Sequence, residues 1–252
     1  MNTKQQEIFS KVPEVTLIFW IIKILATTLG ETGGDAVSMS MKMGYLVSTG
    51  IFAALFIAAV MVQISARKFH PVIYWVTIIA TTTVGTTMAD FADRSLGIGY
   101  LGGTSILFAL LMASLFIWYR TLGTVAVESV RSPRSEMFYW VTIMFSQTLG
   151  TALGDWTADT AGLGYSGGAL IFSAMLAVIA ILYYRTKVSH TLLFWAAFIL
   201  TRPLGAVVGD FLDKPIIHGG LALSRYSASL TLIALITAFI FMFSHKPAKQ
   251  GH

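Results

Sequence analysis

Five carboxylates stand where so apolar a chain has little reason to put them. Asp35, Asp90, Asp155 and Asp210 each lie in or beside a long apolar stretch, and Glu31 precedes the first by one helical turn. The residues four and seven before each aspartate are Glu31 and Thr28, Thr86 and Thr83, Thr151 and Thr148, then Ala206 and Pro203. Positions so spaced share one face of an α-helix. Three segments therefore carry oxygen donors leading to a carboxylate. Such donors suit hard ions, so Mn2+, Ca2+ or Mg2+ rank above Zn2+ or Cu+. Carboxylates in a partly apolar site can also exchange a metal for protons.

These residues form the expected site. Glu31, Asp35, Asp90, Asp155 and Asp210 are the candidate metal ligands, with Thr28, Thr83, Thr86, Thr148 and Thr151 supporting them. Lys23 and Arg202 fall within the apolar runs and read as counter-charges to the acids, or as bases that snorkel or tie helices together. Five acids against two bases leave about three negative charges for protons or a bound cation to neutralise. Asp93, Asp159 and Asp213 follow three or four residues after an aspartate and read as solvated turn charges or an entry funnel. The alternating Met39, Met41 and Met43 could offer thioethers to Cu+. With no Cys and little His nearby, packing explains them better.

The elements that must place these residues repeat. Ten residues after Trp20, Trp75, Trp140 and Trp195 stand Gly30, Gly85, Gly150 and Gly205. The aspartates follow five later, and Gly44, Gly99, Gly164 and Gly219 nine beyond those. Four registrations of W-x9-G-x4-D-x8-G mark an internal duplication. Each unit reads as a helix, a Gly-rich turn and a second apolar helix, over approximately residues 14–66, 70–120, 136–187 and 190–244. The chain is only 12% charged, about half the usual share of a soluble domain. Runs near 20 residues are the length that crosses about 30 Å of hydrocarbon. The expected fold is therefore all-α: a polytopic membrane protein of eight transmembrane helices in four parallel two-helix repeats.

Two crossings per unit put all four aspartates on one side. Lys and Arg gather at the termini and between units, so both termini are expected in the cytoplasm and the aspartates toward the outside. This distribution also accounts for the net charge of +5 without a nucleic-acid partner. The polar start shows no signal-peptide pattern, so the first helix is expected to stay attached. A linker about ten residues longer between the second and third units suggests two pseudo-equivalent halves.

The tandem G-x4-D units resemble an uncharacterised bacterial membrane-protein family built from a short repeat of unknown function. That resemblance implies a multi-pass protein of the bacterial cytoplasmic (inner) membrane. "ETGGD" (Glu31 to Asp35) is also similar to the Glu-x-Gly-Asp motif of calcium and manganese antiporters. It has one residue too many, and the other units lack the Glu.

The favoured reading is a cation transporter, most simply proton-coupled export of a divalent metal such as Mn2+. It needs no tightly bound cofactor; its partners are the bilayer and a small inorganic cation, and a homo-oligomer is compatible with it. A non-transporting sensor or assembly subunit is the alternative. An intramembrane aspartyl enzyme is disfavoured, because the Gly-x-Gly-Asp motif would need glycine where Thr32, Met88, Leu153 and Val208 stand.

Overall fold

A computed structural model describes residues 10–248. Lys4, Lys249 and His252 lie outside the described residues. Eight long helices follow in order: α1 (Leu17–Asp35), α2 (Gly44–Ser65), α3 (Pro71–Asp90), α4 (Tyr100–Leu122), α5 (Pro133–Asp155), α6 (Gly164–Arg185), α7 (His190–Asp213) and α8 (Arg225–Met242). The protein is all-α and built from four repeats. Seven helices are long and apolar enough to cross a membrane. The exception is α5, whose Thr142, Ser146, Gln147, Thr148 and Thr151 lower its hydropathy. All five are buried between helices, and α5 stands in the bundle beside α3 and α7.

The first helices of the repeats form a closed inner ring, α1–α3–α5–α7–α1. Burial separates the two classes: the most apolar windows of α1, α3 and α7 are 61–72% buried, those of α2, α4, α6 and α8 only 11–22%. The outer helices turn Leu46, Leu55, Phe116, Leu170 and Phe241 outward, as a lipid-facing surface requires.

The repeat glycines explain how the ring closes. A methyl group on Gly30 would overlap Thr82, one on Gly150 would overlap Arg202, and one on Gly205 would overlap Thr27; at Gly85 it would meet the Gln147 backbone at 3.0 Å. Thr27, Thr82, Gln147 and Arg202 are the same repeat position, three before the glycine. Each inner helix thus meets a neighbour through one repeated contact. Gly34, Gly154 and Gly209 make a second one a turn later, against Thr86, Ala206 and Glu31. This is small-xxx-small packing, in which missing side chains let backbones approach.

Each outer helix packs on the inner helix of the next repeat: α2 on α3, α4 on α5, α6 on α7 and α8 on α1. The two helices of a unit therefore do not pair with each other; each outer helix is exchanged onto the next unit. Ser114 of α4 meets Thr142 of α5 at 3.1 Å, and Thr32 of α1 meets Ser229 of α8 at 2.9 Å. The last contact closes the circle between chain ends. There, Glu14 N–H donates to the Lys246 carbonyl and Ala248 N–H to that of Val12. The expected division into two halves does not appear in this packing, because α3 meets α5 much as α1 meets α3.

After Asp35, Asp90 and Asp155 the chain makes one π-helical turn, over Ala36–Ser40, Phe91–Ser95 and Trp156–Thr160. The next repeat glycines, Gly44, Gly99, Gly164 and Gly219, take φ of +75°, +74°, +65° and +85°. Only glycine adopts that region without strain, which accounts for their invariance across the repeats.

Candidate cation site

Along each inner helix, one seam at four-residue spacing is buried throughout. In α1 it reads Phe19, Lys23, Thr27, Glu31, Asp35; in α3, Tyr74, Ile78, Thr82, Thr86, Asp90. In α5 it reads Tyr139, Ile143, Gln147, Thr151, Asp155; in α7, Phe194, Phe198, Arg202, Ala206, Asp210. The bundle is thus layered, from aromatic rings at one end to four aspartates at the other. The layers form because repeated helices of equal register place equivalent residues at equal depth.

At the aromatic end, Tyr74 and Tyr139 share a 2.7 Å hydrogen bond, and Phe19 packs on Tyr74 and Phe194. Lys11 forms an ion pair with buried Glu136 at 2.7 Å and donates to the Ile64 carbonyl. Both chain ends therefore lie opposite the aspartates.

Three carboxylates converge near the other end. Oxygens of Glu31, Asp35 and Asp210 all lie within 4.8 Å of one another, and all three residues are buried. Arg202 Nη2 donates to Glu31 Oε2 at 3.0 Å and to the hydroxyls of Thr86 and Thr151 at 2.5 Å. One guanidinium thus ties α7 to α1, α3 and α5. Lys214, just past α7, bridges Asp35 at 2.5 Å and Asp210 at 3.0 Å. Arg94 makes the corresponding bridge between Asp90 at 3.1 Å and Asp155 at 3.2 Å. Both cations occupy one repeat position, four after the aspartate, in the second and fourth units. Met39 and Asp159 take that place in the other two. A twofold alternation absent from the packing is therefore present in the charges.

Several expectations change. Asp90 and Asp155 lie outside the close triad and are joined through Arg94. Thr28, Thr83 and Thr148 donate to the carbonyls of Ile24, Ile79 and Met144 on their own helices, so they serve the backbone rather than a carboxylate. Thr86 and Thr151 do reach the site. Lys23 sits over the Phe198 ring at 4.2 Å, two turns below Glu31's layer, and pairs with no described carboxylate. Among the entry residues only Asp159 is exposed. Asp93 is buried against Gly103, and Asp213 forms a 2.9 Å ion pair with Arg225. Turns folding back over the bundle end withdraw both from solvent.

The charge surplus also shrinks. Arg94, Arg202 and Lys214 touch the five carboxylates, and Arg225 reaches Asp35 at 3.7 Å while pairing with Asp213. With Asp213 counted, six acids against four bases leave two negative charges rather than three. In the sequence Arg94 and Lys214 fall in the turns between the two helices of their units. Their spacing of four from Asp90 and Asp210 was the available signal, since such pairs meet on a helix. Burial opposes the charge on Lys214, but Asp210, Asp35 and Asp213 outweigh it and hold its pKa above the usual lysine range. Its contribution is complete below the unfolded lysine value of about 10.4 and is lost only as pH rises through the higher folded value. Ordinary alkaline conditions therefore leave this bridge closed.

The family model described as Repeat of Unknown Function (DUF347) matches residues 18–69, 73–124, 138–189 and 193–246. The chain belongs to the DUF347 family. No curated protein and no solved structure matches it. The DUF347 repeat thus coincides with one inner helix, its acidic turn and one outer helix. The buried Glu31–Asp35–Asp210 cluster could hold a metal ion.

Proposed function

We propose that this DUF347 protein carries a hard cation across the bilayer through Glu31, Asp35 and Asp210, exporting a divalent ion such as Mn2+ in exchange for protons. The observation that carries the reading is the convergence of three buried carboxylates from two helices within 4.8 Å. Buried ionisable groups in membrane helices are costly and mark ion pathways. An all-oxygen donor set selects hard ions.

Charge arithmetic favours a divalent guest. The triad carries three negative charges, and Arg202 offsets one. Lys214 offsets a second, but only through a side chain beyond the helix end; its backbone carbonyl is separately held by Ala222 N–H at 2.9 Å. If the ammonium swings away, two negative charges remain, matching one divalent ion. Lys214 would thus act as a tethered place-holder, returning when the guest leaves or when protons do not replace it. The gathering of Lys and Arg between the units supports an outward-facing aspartate end and cytoplasmic termini, and on this reading the membrane is a bacterial inner membrane.

The test is to express wild type, Asp210→Asn and Glu31→Gln under challenge with Mn, Ca, Mg, Zn and Cu and measure all five metals in cells. Lowered content of one metal with wild type, lost in both folded variants, is expected. Unchanged metals with wild type would end the transport reading.

One observation favours a second reading, a non-transporting sensor or assembly subunit: each carboxylate of the triad already meets a cation of the protein. On that reading Asp210→Asn changes stability without changing any metal.

A further inference from the structure

Below the carboxylates lies a second polar centre, which shares only Arg202 with the cation site. Lys23 Nζ, Gln147 Nε2 and Oε1, and Arg202 Nε and Nη1 are all buried without a hydrogen-bonding partner among the described residues. These side chains are completely buried. The repeat shows how unusual they are. Lys23 occupies the layer of Ile78, Ile143 and Phe198, while Gln147 and Arg202 share theirs with Thr27 and Thr82. The ring could have been closed by small or apolar residues at these places.

The three residues lie within adjoining turns. Lys23 sits over Phe198, which is one turn before Arg202 on α7. Thr27, one turn after Lys23, donates to the Thr201 carbonyl at 3.1 Å, fixing α1 and α7 in this register. Arg202 Nη2 reaches the Thr151 hydroxyl, which in turn bonds the Gln147 carbonyl at 3.4 Å. Native proteins rarely leave buried polar groups unmatched, so a cluster of them calls for an explanation, and a bound ion is one.

Charge decides the kind of guest. Glu31 already matches Arg202, so a protonated Lys23 needs a negative partner that no described side chain supplies. One positive charge is left over, and most of the unmatched atoms are N–H donors. We propose that Lys23, Gln147 and Arg202 hold a small monovalent anion of the chloride class at the centre of the bundle. The anion offsets the surplus charge and accepts from an unmatched guanidinium N–H, keeping Arg202 aligned with the triad. This site stands independently of cation transport.

The experiment uses the full chain purified in detergent. Its melting temperature is followed as chloride or bromide replaces gluconate at constant ionic strength, up to saturation. Wild type is expected to gain about 3 °C or more. Gln147→Glu places a fixed carboxylate beside the same cations and should fold but lose the halide response; Lys23→Met should lose it as well. Asp210→Asn should keep it, which separates this site from the cation site. An anomalous bromide signal between Lys23, Gln147 and Arg202 in crystals would locate the ion. Equal melting of wild type in gluconate and halide would overturn the proposal, as would an undiminished response in Gln147→Glu.

Discussion

At the scale of single residues, Arg202 is the most consequential side chain in the protein. It is fully buried, pairs with Glu31 and reaches hydroxyls on two further helices. A buried ion pair gains little net stability, because desolvation cancels much of the attraction, yet removing one partner leaves an unmatched charge. Glu31→Leu or Arg202→Met alone should therefore cost about 3–5 kcal/mol. The double variant should cost clearly less than the sum, as thermal or denaturant unfolding in detergent would show. Lys214 belongs to a different class, because it holds the site without being walled into it. Lys214→Met removes the internal competitor at Asp35 and Asp210. Its expected effect is tighter divalent-cation binding in titration calorimetry. Weaker binding would instead make Lys214 part of the scaffold.

At the scale of elements, two kinds of glycine serve different ends. Gly44 needs its left-handed conformation and has open space around it, so Gly44→Ala should cost only about 1–2 kcal/mol. Gly205 is helical, but a methyl group there would sit 2.8 Å from the Thr27 backbone carbon. Relief requires separating α1 from α7, which disturbs every seam layer at once. Gly205→Ala should lower the melting temperature more than Gly44→Ala and reduce the yield of monodisperse protein. Equal losses would contradict the packing of the ring. The acidic turns follow similar logic, since their folding back buries Asp93 and Asp213 where sequence alone suggested solvated charges.

At the scale of the whole molecule, the exchange of outer helices makes the repeats interdependent. No unit holds its two helices together by itself; each outer helix covers the inner helix of another unit, and α8 reaches back to α1. The chain contains no cysteine, so a designed disulfide can be read without background. Thr32→Cys combined with Ser229→Cys should cross-link, since the native hydroxyls lie 2.9 Å apart. Cleavage at a protease site inserted between α7 and α8 should then leave the fragments joined until reduction. Separation without reductant would show that α8 lies elsewhere.

The sequence by itself determined the all-helical class, the four repeats and the common side of the aspartates. Those features follow from local periodicity and from an even number of crossings per unit, which hold whatever the helices later touch. Glu31, Asp35 and Asp210 were legible as candidate ligands for the same reason, because apolar segments make a carboxylate conspicuous. Only the tertiary structure decided that Asp90 and Asp155 meet through Arg94, that Lys214 crosses to Asp35, and that Lys23 sits over Phe198 and pairs with no described carboxylate. It also decided which outer helix covers which inner one. Pairing between helices depends on how small residues of one seam accept side chains of another, and that match exists only once the ring has closed.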